Sequence, residues 1–197
     1  MRRLLGILIG LLMLLAIGTA HRLVPDDERR MGSITTSGRL GERMDTGGFT
    51  ITVEQVEVAR RLTVPGLTST RSLVTEDGVW VVVTATLVEG WEASSYTRTR
   101  LVARDGTSYL ASARVPSDVQ LTSGLLAEPG IPRRGMVVFE IPPDRLAGAV
   151  LRVVRGDVGG GRLAPEAVIE LGIDESAARR LLDRASTPLE LRPVDYG

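Results

Sequence analysis

The sequence contains no cysteine, no lysine and no asparagine, and its one histidine, His21, sits just beyond an N-terminal apolar run. Without cysteine there are no disulfides, no thiol nucleophile and no cysteine-linked lipid. The missing thiol does not fix the redox compartment, because a sandwich of this size folds without bridges. Past residue 21 there is neither His nor Lys, which excludes His-based triads and Schiff-base chemistry and removes the preferred ligands of zinc and other transition metals. Aromatics make up only 4% of the chain, so a core must be built from Val, Leu, Ile and Ala. Hydrophobic residues reach 43%, enough for such a core, and the abundant Val and Thr are stiff at χ1 and suit strands. Acidic and basic residues balance at 24 each, without the positive excess of a general nucleic-acid binder. All the basic residues are Arg, which reads as coding bias rather than adaptation to phosphate.

The charged start Arg2-Arg3 precedes an uninterrupted apolar or small stretch from Leu4 to Ala20. Its length is at the lower limit of a spanning helix, which needs roughly 17–25 residues. Leu4 to Ile17 also has the length of a signal-peptide core, and Gly18-Thr19-Ala20 offers the small residues of a cleavage site, made less ideal by Arg22. Residues 1–24 are thus a signal-anchor that crosses the membrane through residues 4–20, or a signal peptide cleaved near Ala20. A cytosolic core helix is disfavoured because the run has no polar face. Both readings place Pro25 to Gly197 on the extracytoplasmic side: in the first as a single-pass membrane protein, in the second as a secreted one.

Residues 25–38 are polar and charged and read as a juxtamembrane linker, with a short strand expected at Ile34 to Leu40. Phe49, Ile51 and Val53 alternate with threonines, after which the apolar parity moves to Val56 and Val58. One extra residue near Glu54-Gln55 produces that shift, so a β-bulge is expected there. Arg60 to Gly78 reads as a long loop. Val79 to Val88 is nearly continuous Val, Thr, Ala and Leu, the pattern of a central strand covered on both faces. Leu101 to Ala103 and Ser108 to Ala111 flank Asp105-Gly106, a good hairpin turn. Ser112 to Pro132 reads as a second long connection. Gly135 to Ile141, Ala149 to Val154 and Val168 to Ile173 are strands, the first ended by Pro142-Pro143 and the last preceded by a Gly159-Gly160-Gly161 turn. Asp174 then caps a helix with an apolar stripe of Ala178, Leu181, Leu182 and Ala185 and a Glu175/Arg179 pair. The final residues read as an exposed tail. Roughly seven or eight short strands without alternating helices argue for an antiparallel β-sandwich.

The order of these pieces carries a resemblance. Gly41-Glu42-Arg43-Met44-Asp45, the Gly47-Gly48 turn and the Phe49 to Val53 strand are followed by the Val-rich strand from Trp80 to Leu87. Leu101 to Leu110 then gives strand, Asp-Gly and Tyr, and Ile131-Pro132-Arg133-Arg134-Gly135 leads into Phe139-Glu140-Ile141-Pro142. Over Arg39 to Val154 this resembles the bacterial telokin-like, immunoglobulin-sandwich extracellular domains of unknown function. These are associated with lipoproteins and surface proteins and share the fold of a secreted mycobacterial antigen. The resemblance implies an immunoglobulin-like sandwich over residues 39–173, with the helix and tail at 174–197, and it implies no catalytic residues. The family often carries Asn and Pro-Gly in its turns; here there is no Asn, Arg133-Arg134-Gly135 replaces the usual turn, and Gly159 to Gly197 lies beyond the match.

Candidate chemistry is sparse. Paired carboxylates would suit glycoside hydrolysis, but no spacing singles out a pair. Asp26-Asp27-Glu28 lacks the spaced oxygens of a calcium loop, and the Gly-rich run at Gly156 to Gly161 lacks the Lys-Ser/Thr of a phosphate loop. No catalytic, metal or cofactor residue is therefore expected. Binding features stand out more. Arg98 and Arg100 share one strand face, suited to an anionic glycan, a lipid headgroup or an acidic partner, or simply to solvent. Trp91 and Tyr96 flank a Ser-Ser loop, where they would stack on a ligand or cap the sandwich. Leu181 and Leu182 pack on their own domain or dock a partner. The expectation is a non-enzymatic, membrane-tethered interaction module that accompanies a membrane transporter or envelope complex, or else a secreted ligand-binding protein. Neither reading involves nucleic acid.

Overall fold

The computed structural model describes residues 33–66, 69–90, 97–122, 128–155 and 164–196, all within one unit that begins at Ser33. The Leu4 to Ala20 run, Trp91, Tyr96 and the Gly159-Gly160-Gly161 turn lie outside the described residues. Among the described residues no helix is long and apolar enough to cross a membrane. The strands, in chain order, are β1 (Ile34–Arg39), β2 (Arg43–Asp45), β3 (Phe49–Ala59), β4 (Arg61–Val64), β5 (Arg71–Val74), β6 (Val79–Glu89), β7 (Thr97–Val102), β8 (Ser108–Leu110), β9 (Pro132–Ile141), β10 (Val150–Arg155) and β11 (Pro165–Glu170). Helix α1 (Glu175–Arg184) follows, then β12 (Leu189–Glu190) and β13 (Asp195–Tyr196).

A central five-stranded sheet runs β13-β9-β6-β3-β2, a flanking five-stranded sheet runs β1-β11-β10-β7-β8, and a small three-stranded sheet runs β12-β4-β5. The central sheet is covered on both faces. Against the flanking sheet it buries Phe49, Ile51, Val53, Val81, Val83, Phe139 and Ile141, opposite Leu101, Leu151, Val153, Ala167 and Ile169. Against the small sheet it buries Ala59, Trp80, Val82, Met136 and Val138, opposite Leu62, Val64, Leu73, Val115, Val119 and Leu191. This explains the sequence of β6. Residues 79–83 point alternately to two dry interfaces, and all five are fully buried, so no alternation of polar and apolar residues survives. Each such valine contributes about 1.5–3 kcal/mol of burial.

The expected bulge is present. Val53 pairs with Ala85 and Gln55 with Thr84, so Glu54 is the extra residue, and Val58 returns to the inner face. The Asp105-Gly106 turn closes the β7–β8 hairpin, with Gly106 at φ 87° and the Ala103 amide donating to the Thr107 carbonyl at 2.9 Å. Asp174 caps α1 by accepting from the Ala177 amide at 2.7 Å.

Several expectations need correction. The sheets are not wholly antiparallel, since β1 pairs with β11 and β12 with β4 in parallel. Parallel pairing closes the edges with strands that arrive from the far ends of the chain. The Arg60 to Gly78 stretch is not a loop throughout: β4 and β5 pair as a hairpin that lays Leu62, Val64 and Leu73 on the central sheet. Pro65, Gly66 and Thr70, which made it look like a loop, fall between the two strands. The C-terminal residues are not an exposed tail. β12 and β13 join two sheets, and Leu191 is buried between them. Strand β11 occupies Pro165–Glu170 rather than Val168 to Ile173, although Ile169, Leu171 and Ile173 all face the core. Glu175 bonds to Arg104 at 3.5 Å rather than to Arg179, because the β7–β8 turn brings a guanidinium closer than the next helical turn does.

A basic sheet face as the candidate site

The face of the flanking sheet that points away from the core collects the charges. In β7, Thr97, Thr99 and Leu101 turn inward, so period-two alternation puts Arg98 and Arg100 outward, and both are exposed. The register extends this into two rows. Leu110, Arg100, Arg152, Val168 and Ser37 lie side by side in one; Arg98, Val154, Glu166 and Thr35 form the next. Arg100 and Arg152 are therefore direct cross-strand neighbours of like charge, an arrangement that is normally unfavourable. Glu166 relieves it for Arg152 alone. Its carboxylate is buried and accepts from Arg152 Nε at 2.7 Å and Nη2 at 3.0 Å, and from the Thr35 hydroxyl at 3.2 Å. Arg39 and Glu170 pair at 3.6 Å on the far edge. Among the described residues Arg98 and Arg100 have no carboxylate partner, and Leu110, 68% exposed, stands beside them. The result is a strip with two guanidinium groups that have no counter-charge among the described residues, next to an exposed apolar side chain.

At the end of β6 a second charged group is hidden. Glu89 is buried, with Arg133 Nη2 at 3.6 Å and Arg155 Nε at 3.9 Å. The Thr97 hydroxyl lies 3.5 Å from the same carboxylate. These separations exceed the 2.7–2.9 Å typical of charge-assisted hydrogen bonds. Burial accordingly pushes the Glu89 carboxyl above its usual range, against the pull of Arg155, Arg133 and Thr97. Arg133 Nε is buried without a hydrogen-bond partner among the described residues.

A cleft of about 430 Å³ opens where the C-terminal strands cross the central sheet, lined by Glu57, Arg134, Glu190, Arg192 and Asp195 among others. Arg134 is held there by Glu54 at 2.7 Å, and the Arg134 hydrogen bond keeps the Glu54 carboxyl below its usual range. A carboxylate held ionised in this way is unsuited to act as a general acid.

The sequence-derived candidates meet only in part. Arg98 and Arg100 lie together on the strip. Leu181 and Leu182 are half-buried against the core beside Ala178 and Ala185, so the α1 stripe packs on its own domain. Leu181 also lines a small hollow with Leu40, Val56 and Leu171. Trp91 and Tyr96 are not among the described residues. Sequence reasoning missed Arg152, Glu166 and Leu110, whose importance comes from cross-strand register. It also missed Glu89, which ends a Val-rich strand and carries no pattern that marks it as buried.

Fold and site together define a mainly β, sandwich-type protein with a basic outer sheet face. The sequence matches no protein-family model and no curated protein. Among solved structures it is similar to an uncharacterized β-sandwich protein from Clostridium difficile 630, at 11% identity and a TM-score of 0.45 over 70% of this chain and 95% of that one. It is also similar to the yjhA protein from Bacillus subtilis, at 16% identity and a TM-score of 0.44 over 68% of this chain and 99% of that one.

Proposed function

We propose that this chain is a non-enzymatic, membrane-tethered interaction module on the extracytoplasmic side of a cell membrane, acting as an accessory subunit of a membrane transporter or envelope complex. The observation that carries the proposal is the pair of exposed arginines, Arg98 and Arg100, on one sheet face without a carboxylate partner among the described residues. Charges left unpaired on a rigid scaffold are suited to meeting a partner of opposite sign. The apolar run from Leu4 to Ala20 after Arg2-Arg3 supports the tether. The absence of His, Cys and Lys past residue 21 supports a binding rather than a catalytic role.

The strand order supports an immunoglobulin-like sandwich of the telokin-like kind. β3-β6-β9 on one side and β11-β10-β7-β8 on the other follow the Greek-key order in which the chain changes sheets between β6 and β7, β8 and β9, and β9 and β10. The Gly18-Thr19-Ala20 sequence supports the alternative, a secreted ligand-binding protein. Mass spectrometry of the protein's N-terminus from native membrane and soluble fractions separates the two. Met1 retained in membranes is the expected result; a chain that starts at His21 in the soluble fraction would replace the tether with secretion.

A further inference from the structure

Strand β7 is longer than its edge partner. β8 pairs with Arg100, Leu101 and Val102 only. The chain then leaves the flanking sheet, and the Ser112 amide donates to the Val138 carbonyl at 2.8 Å on the central sheet. Thr97, Arg98 and Thr99 have β10 on one side and, among the described residues, no strand on the other. The bond from the Ala103 amide to the Thr107 carbonyl sets the phase of the ladder. Odd-numbered residues of β7 turn their N–H and C=O toward the β8 side and even-numbered ones toward β10. The peptide groups of Thr97, half-buried, and Thr99, buried with its hydroxyl 3.4 Å from that of Thr122, therefore face the side that β8 leaves unpaired. A hollow of about 530 Å³ adjoins that edge, lined by Thr97, Arg98, Thr99, Leu110, Val115 and Thr122 among others, within the usual range for ligand sites.

An open edge offers backbone hydrogen bonds to any extended chain, and most proteins blunt such edges. Here the charge selects the occupant. A strand laid against Thr97 and Thr99 would continue the line of β8, so Leu110 keeps the place beside Arg100 and an outer-face side chain falls beside Arg98, diagonal to Arg100, with Arg152 behind them. The intervening side chains would point into the hollow, toward Val115. A second copy of this edge is repelled by its own arginines. Resting on the interaction-module reading, we propose that the Thr97–Thr99 edge of β7 accepts an extended, acidic segment of a partner protein as an added strand. A carboxylate would fall on the outer face beside Arg98, within diagonal reach of Arg100, with small apolar residues on either side of it.

The test is fluorescence anisotropy with the full-length protein in a mild non-ionic detergent. The probe is a labelled peptide of alternating aspartate and valine. Saturable binding is expected, weakened by at least about tenfold in the double variant Arg98→Glu, Arg100→Glu. Similar weakening is expected when alternate peptide nitrogens are N-methylated, which removes the strand hydrogen bonds and keeps the charge. A lysine–valine peptide should not bind. Equal binding of the N-methylated peptide would overturn strand addition, as would binding to phosphatidylglycerol vesicles with none to the peptide. If the peptide fails while a native membrane partner still copurifies and is released by the double variant, the edge mode falls and the interaction-module reading stands. If no partner copurifies either, that reading falls with it.

Discussion

Val81 and Val82 are neighbours on β6 whose side chains enter different interfaces, one against the flanking sheet and one against the small sheet. In an ordinary half-buried strand, one of two such neighbours faces water and its truncation costs little. Both are fully buried here. Truncation to alanine removes two carbons at about 0.8 kcal/mol each, and the space left behind adds to that. Val81→Ala and Val82→Ala should therefore each cost about 2–3 kcal/mol. Urea unfolding of the full-length protein in detergent, monitored by far-UV circular dichroism, reads this as a lower midpoint at unchanged slope. Thermal melts should shift by about 5–10 °C. Val88, half-exposed beyond the small sheet, is the control, and Val88→Ala should cost well under about 1 kcal/mol. If Val82→Ala behaves like Val88→Ala while Val81→Ala is costly, the small sheet does not cover the central one and the three-layer description is wrong.

The buried Glu89 carboxyl is held above its usual range, so the folded state favours its proton. Its contribution to stability is full below the ordinary carboxylate range and is lost as pH rises through the raised value. The isosteric Glu89→Gln variant removes that loss, so its Tm relative to the parent should rise as pH climbs from the ordinary carboxylate range through the raised value; a constant difference would contradict the burial argument. Asp174 has the opposite sign. Bonds from the Ala177 amide and the Ser176 side chain hold its carboxyl below the usual range, and this stabilisation is present above the ordinary carboxylate range and lost as pH falls through the depressed value. Asp174→Ala should lower Tm at neutral pH, with the gap closing in acid; a gap that widens in acid would rule out the helix cap as its cause. Gly106 sits at φ 87° with open space where a Cβ would lie, so Gly106→Ala should cost about 1 kcal/mol from backbone strain alone. A neutral result in urea unfolding would mean that the turn relaxes.

Much of the fold was legible because local rules and packing agree. The parity change after Val53 marked the bulge, the Val-rich β6 marked a strand covered on both faces, Asp-Gly marked the hairpin, and Asp174 marked the helix start. What failed was non-local. Leu62, Val64 and Leu73 alternate too briefly to stand out in a stretch rich in Thr, Pro and Gly, and only the face of the central sheet makes them a hairpin. Leu189, Leu191 and Val194 are single apolar residues among polar ones, and they read as a tail until β4 and β9 are there to receive them. The candidate site divides in the same way. Arg98 and Arg100 share a face by strand periodicity alone. Arg152 as their neighbour, Glu166 as its counter-charge and the open edge beside Thr97 and Thr99 follow from register, which no single segment encodes.

The central claim is that the Arg98/Arg100 face of a membrane-tethered domain binds an envelope or membrane protein. Its most direct test is copurification of the full-length protein from native membranes in mild detergent, comparing the parent chain with the Arg98→Glu, Arg100→Glu variant by quantitative mass spectrometry. The account predicts a stoichiometric membrane-protein partner, Met1 retained on the parent chain, and loss of that partner from the folded variant. A partner retained equally by both would remove the basic face from the interface. No partner, together with a chain that begins at His21, would contradict the account as a whole.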